Sequence, residues 1–129
     1  MRKIMFSIVI AALAITACKK DKGKPASLVN KWSVANTHIV EVLNGTVLYE
    51  DNYTGVAADY LDFRNDNKLY SSIDGSSDVV PYQLVDADKV VIDGDMFLIQ
   101  SLTANSVKLY MKDPATGNTY TEATVNLKR

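Results

Sequence analysis

Cysteine occurs once in this chain, at position 18, so no internal disulfide can form and no multi-thiolate metal site can be built. Histidine also occurs once, as His38. A lone imidazole needs a partner nucleophile or a positioned carboxylate before it becomes catalytic, and the surrounding sequence supplies neither. Glycine-rich phosphate loops, dinucleotide fingerprints and the Gly-x-Ser-x-Gly of hydrolases are missing. Long apolar runs are missing too. The longest, residues 4–15, is a dozen residues broken only by Ser7. As a helix it would rise about 18 Å, short of the roughly 30 Å hydrocarbon core of a bilayer. Basic charge is scarce in the body of the chain. From Leu28 onward 14 acidic residues face 8 basic ones, a net −6. Nucleic-acid binding is excluded on that balance, because phosphate contacts need a cationic face.

What is present begins with Arg2 and Lys3, the apolar run, and then Ile15-Thr16-Ala17-Cys18. A basic start, a short apolar stretch and small residues before a cut form a secretory signal. The last four residues resemble the lipobox of bacterial lipoproteins, with Ile in place of the usual Leu and Thr at the tolerant second position. That resemblance implies cleavage before Cys18 and acylation of its sulfur, with palmitate among the attached chains. The other reading of Cys18, a free thiol beside an ordinary signal cut, has no second cysteine to explain it. Two or three acyl chains at about 0.8 kcal/mol per buried CH₂ hold a protein firmly on a membrane. Residues 19–27, with four lysines and no apolar periodicity, form a flexible tether whose charge suits anionic head groups. The expected organisation is a signal peptide over 1–17, a lipidated tether over 18–27 and one domain over 28–129. The expected location is the cell envelope, most simply the outer membrane, with the facing side left open.

The domain has no helical periodicity. It breaks into short β-type runs separated by turn residues, among them Asn44-Gly45, Asp74-Gly75 and Asp93-Gly94, pairs that favour tight hairpins. The expected strands cover residues 32–43, 46–51, 59–64, 68–73, 78–85, 89–92, 95–103, 107–112 and 119–128, with 52–58 open between strand and loop. Alternation puts Val107, Leu109 and Met111 on one face, and Thr121, Ala123, Val125 and Leu127 on another. The first strand, read as regular, groups Val34, Asn36, His38, Val40 and Val42 together. Consecutive hairpins form an up-and-down meander, and closing it removes the exposed edges. The expected fold is therefore all-β, an antiparallel up-and-down barrel of about eight strands. A two-sheet sandwich is second, since it needs longer crossing connections.

Leu28-Val29-Asn30-Lys31-Trp32-Ser33-Val34 resembles the opening of lipocalin-like domains, whose first strand starts at a Gly-x-Trp motif; Asn30 stands at the glycine position. The stretch Asp62-Phe63-Arg64-Asn65-Asp66-Asn67-Lys68-Leu69-Tyr70, the Tyr82-to-Leu84 strand and the segment 97–102 are similar to short bacterial lipocalin-like lipoproteins. The resemblance implies a barrel closed at the Trp32 end, with Arg129 or Lys128 covering the indole ring. It also implies a non-enzymatic protein, without cofactor, that holds a small hydrophobic or amphipathic ligand.

Candidate ligand contacts are Tyr60, Phe63, Tyr82, Phe97 and Tyr110, aromatics able to line a cavity. With only 102 residues the same side chains can instead fill a narrow barrel, leaving a plugged module that acts through its surface. His38 reads as a structural histidine on a strand. Asp86, Asp88, Asp93 and Asp95 fall within ten residues, but the strand 89–92 breaks the ligand spacing calcium needs, and turn chemistry explains each aspartate. Asp59 with Asp62, or Glu50 with Asp51, are pairs of carboxylates that acid–base work could use, but solvated loop charges are the far commoner explanation.

Overall fold

A computed structural model describes residues 26–129, in which nine antiparallel strands and no helix make one closed sheet. The strands are β1 (Lys31–Leu43), β2 (Thr46–Thr54), β3 (Tyr60–Phe63), β4 (Lys68–Ile73), β5 (Ser76–Asp86), β6 (Lys89–Ile92), β7 (Asp95–Leu102), β8 (Ser106–Asp113) and β9 (Tyr120–Lys128). Each strand from β3 to β9 pairs with the next, and β9 returns to β1 over Ser33–Val42, closing the barrel. Among the described residues, every strand and every core residue lies within 28–129.

Eight strands form the wall and β2 is the ninth. β2 and β3 occupy the same edge of β1: Thr54 pairs with Asn36, and Tyr60 pairs with Ser33. They are one antiparallel path, interrupted by residues 55–59. At the interruption Gly55 N–H donates to Ala35 O (2.9 Å) and Val34 N–H to Asp59 O (3.2 Å). β4 pairs with β3 and β5 but not with β2, so β2 has a partner on one side alone.

The turns sort by end. Asn44-Gly45, Asp74-Gly75 and Asp93-Gly94 all have positive φ at both positions, the geometry of the tight hairpin turn, and all lie at one end, the mouth. The start of β1, the β3–β4, β5–β6 and β7–β8 turns and Arg129 lie at the other. That second end is sealed. Trp32 has no exposed surface; its Nε1–H donates to Leu28 O at 3.0 Å, and the Arg129 guanidinium lies 5.8 Å from the ring centroid. Above it pack Val34, Leu61, Phe63, Leu69, Tyr82, Val90, Ile99, Val107, Leu109 and Leu127. Phe63 and Tyr82 meet edge to face with centroids 5.1 Å apart.

Residues opposite one another across a ladder point to the same side, so the register assigns each face. Val34 pairs with Leu127 and is lumenal, but a bulge follows between Val34 and Asn36. Beyond it Thr37 and Ile39 pair with Val125 and Ala123, while Asn36, His38, Val40 and Val42 pair with Asn126, Thr124, Glu122 and Tyr120 on the outside. The expected grouping of Val34 with His38 and Val42 is therefore corrected: one extra residue reversed the phase of the strand. The ambiguous stretch 52–58 resolves into the end of β2 and the interruption.

Candidate functional site

The expected ligand residues do not converge on one cavity. Phe63 is 1% exposed and Tyr82 5%, and both fill the interior. The Tyr82 hydroxyl donates to Arg64 O at 2.5 Å, which satisfies the polar tip from within the turn below. Tyr60 pairs with Ser33 on the outer face, with the Lys31 ammonium 4.2 Å from its ring centroid. Tyr110 is also outside; it pairs with Thr124 and its hydroxyl donates to Glu122, a bond that pushes the phenol up to about 12. Phe97 alone sits half-buried on the lumenal side, opposite Val90.

Toward the mouth the lumenal face loosens. Ile73, Val80, Ile92, Phe97 and Val125 are partly exposed where they cap the packed interior. Surface grooves of about 370 to 490 Å³ lie on the outside, one of them on the outer rim of the mouth between Leu43, Leu48, Pro114 and Tyr120, and none of these is lined by opposite walls of the mouth. One of about 490 Å³ lies under the sealed end, between Ser27, Asn30, Thr103 and Arg129.

The most constrained polar group was not singled out as such by sequence: Asp59, 1% exposed at the interruption. Its Oδ2 accepts from the Tyr53 hydroxyl (2.5 Å) and Val56 N–H (2.9 Å), and its Oδ1 from Asp74 N–H (3.0 Å). The Tyr53 hydroxyl foremost, then the Val56 amide, hold the carboxyl below its usual range, and the same bond pushes Tyr53 up to about 12. Both oxygens are occupied by the chain itself, so Asp59 is a latch between the interruption and the β4–β5 turn. The only sequence signal for it was a carboxylate beginning a strand after a glycine-led break. Asp62, its suggested partner, instead bonds Arg64 Nε at 2.8 Å on the exterior.

His38 lies on the outer face with Nε2 2.7 Å from Glu50 Oε2. The four aspartates between 86 and 95 are split by β6. Asp86 and Asp88 lie at the sealed end and Asp93 and Asp95 at the mouth, each in or beside a turn. Among the described residues no group of three or more His, Cys, Asp or Glu is placed to hold a metal ion, and no helix is long and apolar enough to cross a membrane. Cys18 and the tether lie outside the described residues.

Exposed apolar surface lies on β5 and β7, at Val79, Leu84, Val85, Met96 and Leu98, and on the β1–β2 hairpin. Leu43, Val47, Leu48 and Tyr49 are about half exposed or more, Leu48 the most at 62%. They flank the unpaired edge of β2, nine residues without proline or lysine. Compared with known families, curated proteins and solved structures, the chain gives no match.

Proposed function

We propose that this is a lipid-anchored protein of the cell envelope, non-enzymatic, whose lipocalin-like barrel is plugged by its own side chains and acts through its outer surface. The observation that carries this reading is the interior. Phe63 and Tyr82, the aromatics best suited to line a calyx, pack against each other. A protein of this kind recognises partners with its rim, and the unpaired β2 edge beside Leu48 is the surface best suited to an extended segment. The anchor reading rests on Ile15-Thr16-Ala17-Cys18.

A second reading has its own support. The half-buried Ile73, Val80, Ile92, Phe97 and Val125 at the mouth form an apolar floor on which a small amphipathic molecule would rest. A polarity-sensitive apolar dye separates the two. The plugged barrel gives weak, non-saturating fluorescence, whereas saturable binding that Phe97→Ser weakens would favour the mouth. For the anchor, metabolic labelling with palmitate is expected in the parent chain and absent in Cys18→Ser; labelling that persists contradicts it.

A further inference from the structure

The charges of the barrel are sorted along its axis. Lys31, Lys68 and Lys89 open β1, β4 and β6 at the sealed end, and Lys108, Lys128 and Arg129 lie on the ends of β8 and β9 there. Arg64, in the β3–β4 turn, joins them. Among the described residues only four carboxylates share that end: Asp62, Asp66, Asp86 and Asp88, of which Asp62 pairs with Arg64 and Asp86 lies 4.0 Å from Lys89. Asp66 is turned into its own loop by the Tyr70 hydroxyl and Lys68 N–H. Among the described residues Lys68, Lys108 and Lys128 are exposed and have no ion-pair partner. The other ten carboxylates lie toward the mouth, with Lys112 as the single cation.

The chain outside the described residues joins at the sealed, basic end, where Ala26 leads into β1. Seven residues lie between Cys18 and Ala26, four of them lysine, so eight Cα–Cα steps join the two. Fully extended they span at most about 28 Å, so an anchored Cys18 keeps the basic end near the bilayer. The short reach rests on the anchor reading; the charge does not. β1, thirteen residues long, rises about 40 Å along its own axis. The shorter β6 rises only about 13 Å, so the acidic mouth lies between about one and four Debye lengths from the basic end at about 0.1 M salt and is largely screened from whatever that end touches.

We propose that the sealed end of the barrel is itself a docking surface for an anionic lipid bilayer, holding the domain upright with its mouth turned away from the membrane. Lys68, Lys108 and Lys128 supply the attraction.

Residues 18–129 carrying Cys18→Ser test this without the acyl chains, since that stretch holds every strand and core residue among those described. Sedimentation with vesicles of phosphatidylglycerol and phosphatidylcholine in equal parts, against phosphatidylcholine alone, is expected to give a preference of about tenfold or more for the anionic vesicles, lost in about 1 M salt. The combination Lys68→Glu, Lys108→Glu and Lys128→Glu, on exposed positions, is expected to remove about tenfold or more of that binding, whereas Lys112→Glu at the mouth changes it less than about twofold. Circular dichroism confirms that each variant keeps its strand signal. Equal binding to both vesicle types overturns the proposal. So does anionic binding that survives the triple reversal, which would assign the contact to the tether alone. Neither result bears on palmitate labelling, so the anchor stands or falls separately.

Discussion

Asp59 carries a buried charge at the place where the wall of the barrel is broken, and three donors surround it. A buried carboxylate is tolerable only when its oxygens are paired, and a charged acceptor makes those bonds stronger than neutral ones. The consequence is a pH window with two edges. The folded carboxyl sits below the ordinary value of 3.8, so its stabilisation is complete above that value and is lost as pH falls through the folded pKa. Tyr53 is displaced the other way, from 10.0 to about 12. Between those values the unfolded chain gives up a proton that the folded chain keeps, so stability declines as pH rises. Urea denaturation across pH is expected to show both limbs. Asp59→Asn should flatten the acid limb and return the Tyr53 ionisation, read from tyrosinate absorbance, toward its ordinary range. An unchanged acid limb in that variant would remove Asp59 from the account.

Glycine 55 and the bulge beside it decide the element scale. A Cβ built on Gly55 would lie 1.8 Å from the Val34 carbonyl oxygen, and that atom is backbone, unable to swing aside. Gly55→Ala is therefore expected to cost about 3 kcal/mol in urea denaturation. Gly45→Ala, in an open turn at φ +78°, has nothing within 4 Å and should cost about 1 kcal/mol. Equal costs would mean that the close approach to Val34 does not matter. The contrast also marks what sequence could tell. The three tight turns were legible because Asn-Gly and Asp-Gly act locally. The nine strand positions followed from alternation. Tyr110, expected among the cavity residues, faces outward instead, opposite in phase to Leu109 and Met111 on the same strand. The bulge after Val34 was not legible, because it arises from how β1 fits β9, ninety residues away in the chain. The same holds for the Asp59 latch, whose Asp74 partner comes from another hairpin. Nor could composition distinguish a Phe63 that lines a cavity from one that fills it.

For the whole molecule, size and sorting of charge set the behaviour. A barrel of eight short strands has little interior volume, and Trp32, Phe63, Leu69, Tyr82, Val90, Ile99 and Leu109 occupy the sealed half. What is left for recognition is the outside: an unpaired edge at β2, a half-buried apolar floor at the mouth and a basic base. The account's central claim is that this interior is full. Native mass spectrometry of residues 18–129 carrying Cys18→Ser, purified in mild detergent, tests it most directly. The account predicts that the unacylated form flies at the mass of the polypeptide alone. A stoichiometric adduct of lipid mass, retained through purification and lost with Phe97→Ser, would contradict it.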